Sequence, residues 1–422
     1  MEPTGMSPTI GNQSSTRVRW LPIWLLEVTN GLSGVANGVV TIVIPWLVLQ
    51  RTDSVAAAGL VAALSAVPGI LAAPLAGWAV DRFGRRIVSI TSDVLSALSV
   101  AAIPIVANFT DLTLGWIIGL AVLGAIFDPA GYTARKALIP DVAQASGITL
   151  NRLNGIHEGI FSVGWVVGPL AGALLISTYG AVSAFWLPCL AFIVAALLIS
   201  VLRVGDAGQE ARSAAIRAGV ERPDAWQNAV LGLRVIWQDR ALRILLLSVT
   251  VLAGIYLPTE TVLLPAYFES VNQPDDLGYV LAALAAGTII GAFGYGWLSQ
   301  RMTRLTIGRC VLVGTVIGYL ALAVLPALPL MVAAGFTLGL VWGPMQPLMN
   351  TVIQRRVAPD AQGRVYGIQT SLFYALPPLS MVLAGLAAEQ VGVEPVLLVM
   401  WVLLTVVAVA VLALKGLRDI NR

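Results

Sequence analysis

Residues 77–86 read GWAVDRFGRR, with one acid and three arginines in its last six positions and a long apolar run on either side. In a soluble protein this would be one charged loop among many. Here only 11% of residues are charged and 58% are hydrophobic, so the loop has to be read against the runs that flank it. Each run is about 20 residues long, enough to cross ~30 Å of hydrocarbon as a helix. A lipid-exposed chain must satisfy its own backbone N–H and C=O groups, and the period-two alternation of a membrane barrel is absent, so helix is the reading.

Such runs recur along the whole chain and predict twelve transmembrane helices, over 20–49, 55–79, 87–107, 112–134, 153–178, 181–203, 243–268, 277–299, 306–325, 329–353, 365–388 and 396–415. The organisation that follows is a tail (1–19), a six-helix bundle (20–203), a polar linker (204–242), a second six-helix bundle (243–415) and a short tail (416–422). An even helix count puts both termini on one side, and basic residues identify that side. Arg82, Arg85, Arg86, Arg135, Lys136, Arg152 and the linker arginines share it, whereas only Arg51 of the 25 basic residues falls opposite. The opposite loops carry Glu269, Asp275, Asp276, Glu389 and Glu394 instead. Cytoplasmic termini are therefore expected, with no cleavable signal in the polar residues 1–16, which should be a disordered end. All basic residues except Lys136 and Lys415 are Arg, and with abundant Ala and Val this points to a high-GC bacterium and its plasma (inner) membrane. Cys189 and Cys310 fall at opposite ends of their helices, too far apart for a disulfide, which needs Cα atoms within about 7 Å.

The opening stretch has a second copy. GWLSQRMTRL (296–305) repeats its Gly, Trp and two of its Arg at an offset of 219, and Pro140–Asp141 recurs as Pro359–Asp360 at the same offset. A duplicated six-helix unit accounts for both, an arrangement used by transporters. Gln300 and Thr303 stand where the first copy has Asp81 and Gly84, so the device at that end should be asymmetric. In the linker, WQNAVLGLRVIW (226–237) reads as an amphipathic helix on the membrane surface.

Twelve helices in two halves, with G-x-x-x-D-R-x-G-R-R between helices two and three, resemble the major facilitator superfamily. GWVVGPLAG (164–172) resembles the antiporter motif of its drug–proton branch. PWLVLQ (45–50) and YLPTETVLLPAYF (256–268) are similar to the actinobacterial Tap-type tetracycline and aminoglycoside multidrug efflux pumps. The resemblance implies that Gly77, Asp81, Arg82, Gly84 and Arg85 form a cytoplasmic gate. Asp81 would latch the halves by capping the positive N-terminus of helix eleven near Arg364, with a smaller part for Arg86. Positive-inside anchoring is the alternative for some of the arginines. Gly77 and Gly84 would let helices two and three approach or turn sharply. In helix five, Gly164, Gly168 and Gly172 make a small-residue stripe and Pro169 a bend, serving close packing, an antiport role, or both.

Five acids fall inside predicted helices, and no Lys or Arg is expected at their depth. An unpaired carboxylate in hydrocarbon is costly, so some of these should carry protons. Glu27, Asp93, Asp128 and Glu158 lie within about 12 Å of the basic end at ~1.5 Å per residue. Asp93 and Asp128 can reach toward loop arginines as structural pairs. Glu158, beside the only histidine, His157, is a coupling acid or a satisfied buried one; Glu27, Glu158 and Asp128 are the candidates for proton coupling. Glu260, ~25 Å past Arg243, shares a predicted face with Tyr256 and Tyr267. It is expected to meet a cationic amphiphile, with Asn30, Asn37 and Trp165 adding contacts, or else to snorkel outward. One histidine and two separated cysteines form no metal cluster, and no P-loop is present, so neither cofactor nor ATP is expected. The expected partners are membrane lipids, protons and a small amphiphilic substrate, with no nucleic acid, for a monomer that is not an enzyme. Proton-coupled drug export is the leading reading; export of a native lipid or siderophore, nutrient import, and a non-transporting sensor or scaffold are the others.

Overall fold

A computed structural model describes residues 18–52, 55–217, 224–271 and 273–414. The predicted tails through Arg17 and from Lys415, and the side chains of Glu269 and Asp275, lie outside the described residues. Long helices follow one another with short turns: α1 (Trp20–Thr52), α2 (Val55–Phe83), α3 (Arg85–Phe109), α4 (Leu114–Ser146), α5 (Leu150–Tyr179) and α6 (Ala181–Val201). Two linker helices, Ala207–Arg217 and Ala225–Gln238, lead to the second half. It comprises α7 (Arg240–Phe268), α8 (Pro274–Arg301), α9 (Arg304–Ala323), α10 (Leu328–Arg356), α11 (Gln362–Val391) and α12 (Val393–Ala413). Among the described residues eleven of these twelve are long and apolar enough to cross a membrane; the other, α2, has 29 residues. The protein is an all-α, multi-pass membrane protein with two pseudo-symmetric six-helix bundles.

Several helices run further than their apolar stretches. α4 was expected to end at 134 and continues to Ser146, because hydropathy marks where lipid contact ends, whereas backbone hydrogen bonding continues under tertiary cover. The extra turns carry Arg135 and Lys136 inside a helix instead of a loop. In α7 the chain passes through a π turn, Thr259–Leu263, just after Pro258.

Glycines set how closely the helices pack. A Cβ on Gly168 would lie 2.6 Å from Gly38 Cα and from the Val35 carbonyl, and one on Gly38 would lie 2.8 Å from Pro169 Cδ. Gly164 meets Gly34, and Gly172 meets Val39, in the same way. The helix-five motif therefore closes α5 on α1 within the first half. Between the halves there are two seams. In one, Gly77 of α2 lies against the Gly363 carbonyl of α11, and Ser371 of α11 donates to the Ile70 carbonyl at 2.8 Å. In the other, Gly155 of α5 meets Ala292 of α8, and a Cβ on Gly296 would lie 2.8 Å from Arg152 Cα. Gly296 is the repeat partner of Gly77, so the duplicated glycine serves both seams. Both seams lie toward the end of the bundle that carries the motif loops and most arginines, hereafter the basic end.

Gly168→Val should overpack the α1–α5 contact and cost roughly 1–3 kcal/mol. Gly119→Val, at a glycine of α4 with open space beyond it, serves as the control. Thermal unfolding in detergent should show a lower midpoint for the first substitution only; equal midpoints would mean that the stripe is not a tight contact.

Candidate functional site

α2 and α3 are joined through a single residue, Gly84, whose φ of 94° is a conformation that side chains disfavour. On either side of it the charged residues go to separate places. Asp81 reaches the N-terminus of α11, where its Oδ1 accepts from the Gly363 N–H at 3.1 Å and its Oδ2 from the Arg364 N–H at 3.2 Å and from Arg364 Nε at 3.1 Å. Helix N-termini leave N–H groups unpaired and carry partial positive charge, so a carboxylate is well placed there. The approach depends on glycine from both sides, since a Cβ on Gly363 would lie 2.7 Å from the Gly77 carbonyl. The expectation that Gly77 spaces helices two and three is corrected: its close contact is with α11. The second linker helix covers this contact, with Asn228 bonded to Asp81 and Gly232 seated on Arg364.

Arg85 is buried and joins both halves. Its guanidinium donates to Asp141 Oδ2 at 2.8 Å, to the Pro359 carbonyl at 2.7 Å and to Gln362 Oε1 at 3.2 Å, while its backbone N–H donates to Asp206 Oδ2 at 2.8 Å. Arg82, expected in the gate, departs from that reading: its guanidinium lies over the rings of Trp78 and Phe83, at 5.3 and 5.8 Å. Arg86 donates to the Ser200 carbonyl of α6. Asp81 and Arg85 thus cross between the halves, and the other two arginines stay in the first. At the same end Asp239 caps α7 through the Leu242 N–H at 3.0 Å and accepts from Arg356 Nε at 2.7 Å. Burial opposes its ionisation, but these bonds outweigh burial and hold its pKa below the ordinary carboxylate value.

Deeper in the first half two of the four acids, Asp93 and Glu158, are paired with Arg135 and Lys136, which overturns the expectation that no Lys or Arg lies at their depth. Asp93 receives Arg135 Nη1 at 3.0 Å, and Arg135 Nη2 donates to Ser33 at 2.8 Å. Glu158 meets Lys136 Nζ at 2.9 Å. Asp128, expected to reach toward a loop arginine, instead accepts from Asn37 Nδ2 at 2.6 Å. Glu27 lies 3.2 Å from His157 Nδ1, and its other oxygen has no hydrogen-bond partner. The reason for the miss is the extension of α4, which buries both of its cations.

Glu158 also crosses to the second half. Asn350 Nδ2 of α10 donates to Glu158 Oε1 at 2.7 Å, and beside it Asn154 Nδ2 donates to Gln354 Oε1 at 2.6 Å and to Thr351 Oγ1 at 3.2 Å. Gln354 Nε2 returns to the Lys136 carbonyl at 3.1 Å. The sequence reading missed these amides; the signal available was Asn350 and Gln354, one helical turn apart at the end of the tenth predicted span.

The predicted substrate residues do not converge as expected. Asn30 donates to the His157 carbonyl at 2.8 Å and Asn37 is held by Asp128, so both amides are engaged inside the first half and neither joins Glu260. Glu260 sits half-buried in the π turn of α7. Tyr256 stacks on Trp342, ring centroids 5.4 Å apart, and its hydroxyl has no hydrogen-bond partner among the described residues. A π turn holds an extra residue, so a spacing of seven no longer returns Tyr267 over Glu260; Tyr267 packs edge-on against Phe268 instead. Trp165 ends a row of rings, with Phe161 at 6.2 Å, Tyr132 5.1 Å beyond it, and Lys136 Nζ 4.2 Å over Tyr132. Among the described residues no group of three potential metal ligands occurs.

Residues 27–380 and 261–420 match the family described as the Major Facilitator Superfamily. The chain belongs to this superfamily. A multidrug efflux pump, Tap, of Mycolicibacterium fortuitum is 38% identical over 406 residues, covering 95% of this chain and 97% of the relative. Tap of Mycobacterium tuberculosis is 36% identical over 409 residues, covering 95% of each. Among solved structures, the E. coli fucose:proton symporter FucP has a TM-score of 0.71 at 15% identity, covering 93% of this chain and 98% of that one, which shows the shared fold alone. Superfamily membership makes the protein a transporter rather than an enzyme, and its resemblance is to the Tap-type pumps.

Removing Lys136 leaves Glu158 buried without a cation, which costs about 3–5 kcal/mol where a buried pair is broken from one side. Lys136→Met should therefore lower the unfolding midpoint sharply, and adding Glu158→Gln should recover much of the loss. No recovery in the double variant would mean that the two side chains do not act as a pair.

Proposed function

We propose that this transporter exports amphiphilic drugs across the bacterial plasma membrane, as a monomer, by alternating access coupled to inward proton flow, with both termini cytoplasmic. The observation that carries the reading is the Asp81 carboxylate on the N-terminus of α11, the closure of one end across the two halves. Alternating access requires that contact to part. The drug reading is supported by the similarity to pumps named for multidrug efflux, and tetracycline- or aminoglycoside-type amphiphiles are the substrates to try first.

Proton coupling has its best support at Glu158. Neutralising it would withdraw the anion that Lys136 and Asn350 both address, loosening a bond within the first half and one between the halves together. Glu27 with His157, and Asp128 with Asn37, are further acid sites in the same layer. For the substrate, Glu260 remains the acid to test, now with Tyr256, which itself stacks on Trp342, as its aromatic neighbour, and Trp165 offers an exposed ring in the first half.

Uptake of labelled tetracycline into inverted vesicles, driven by a proton gradient, tests the function; absence of gradient-dependent uptake for every drug tried would leave a native lipid or siderophore as cargo. Asp81→Asn should abolish uptake with membrane abundance unchanged, and full uptake would reduce the motif to an anchor. Glu158→Gln should bind substrate without concentrating it. Glu260→Gln should weaken cationic substrates by about ten- to a hundredfold, the worth of a charge-assisted contact of ~1.5–3 kcal/mol, and leave uncharged ones nearly unaffected. Equal loss for both classes would move Glu260 from substrate to proton or framework.

A further inference from the structure

The second linker helix has two faces, and the gate occupies one. On the inner face Asn228, Gly232 and Ile236 stand a turn apart: Asn228 and Ile236 are buried, and a Cβ on Gly232 would lie 2.8 Å from Arg364 Cβ and 2.9 Å from Ile368 Cδ1. On the outer face Trp226, Val230, Leu233 and Trp237 form a continuous stripe at helical spacing, and all four are exposed, Trp226 at 77% and Trp237 at 60%. Arg234 is exposed on the same helix, and Arg243 lies over the Trp237 ring at 5.1 Å.

Two further Trp–Arg pairs occur at the basic end. Trp78 carries Arg82 on α2 at 5.3 Å, and Trp297 carries Arg301 on α8 at 3.9 Å. They are repeat partners, each with the arginine one turn after the ring. Tryptophan partitions to the membrane–water interface, and a guanidinium held against its ring is aimed at anionic headgroups. Such pairs stand on three separate elements, and the linker stripe has Arg234 on its own helix and Arg243 over its last ring.

We infer that the outer face of the linker helix docks on anionic phospholipid headgroups of the leaflet at the basic end, and that this docking holds the inner face on the Asp81–Arg364 contact, so that anionic lipid favours the latched state. The inference rests on the gate reading above. A surface that the latched form presents better than the open form shifts the equilibrium toward the latch by linkage, whether or not it touches the substrate.

The test is hydrogen exchange by mass spectrometry on the full chain in nanodiscs of phosphatidylcholine alone, and of phosphatidylcholine with about one-third phosphatidylglycerol. Amides in 225–238 and in 360–366 should both exchange roughly fivefold more slowly with the anionic lipid. Arg234→Gln with Arg243→Gln should lose that difference while keeping the native rates in phosphatidylcholine, which reports an intact fold. Unchanged exchange at 225–238 in the native chain overturns the docking. Slowing at 225–238 without slowing at 360–366 overturns its link to the latch. The same slowing produced by inorganic phosphate in phosphatidylcholine discs overturns the lipid as its source. Should Asp81→Asn transport normally, the gate reading fails by itself, because the lipid response of 225–238 is scored separately.

Discussion

A charge carried into hydrocarbon has to be met inside the protein, and the first half is arranged around that demand. α4 supplies two cations in succession, Arg135 and Lys136. Consecutive residues on a helix diverge by about 100°, so the two side chains leave in different directions. Arg135 turns to Asp93 of α3 and Ser33 of α1, and Lys136 turns to Glu158 of α5. One helix thereby neutralises acids on two neighbours. Such pairs add little net stability, because desolvation offsets their attraction, yet losing one partner is costly.

The connections between halves differ with depth. At the basic end the Asp81–Arg364 pair is less deeply enclosed, with side chains 9% and 16% accessible. Further in, the Lys136–Glu158 pair is 1% and 6% accessible and is held by amides from α10. The outer contact is one carboxylate on a helix N-terminus and an arginine. The inner one changes only if its charge or its amide partners change.

Duplication kept packing and charge to different extents. Gly77 and Gly296 each bring their helix against the opposite half. The acid survives only in the first copy; in the second, Gln300 replaces it, and Thr303 caps α9 through the Thr306 N–H at 3.2 Å where Gly84 makes its turn. Close approach needs only a missing side chain and tolerates divergence around it. A carboxylate needs a helix N-terminus and a cation opposite, and α5–α8 is closed by glycine contacts instead, with the amides of α10 nearby.

By itself the sequence determined the helical class, the number and order of the spans, the duplication, and the residues whose chemistry is local. An apolar run of a given length, a glycine repeated every four residues and an Asp one turn from Gly77 carry their consequences within a few positions of the chain. The placement of Asp81 at α11 came from the resemblance to the superfamily; helix-terminus chemistry explains why an anion suits that position but does not choose α11 among the helix N-termini. Tertiary structure decided the partners. Glu158 and Asn350 are 192 residues apart, and no periodicity relates the rotation of α5 to that of α10. Hydropathy ended α4 too early and so hid both cations, and the π turn in α7 displaced Tyr267 from the face that a regular helix would have given it. Asn30 and Asn37, which composition alone would leave free for a ligand, are taken up by His157 and Asp128. Side-chain pairing across helices depends on where each helix stops and how it is rotated, and both are set by packing between distant segments.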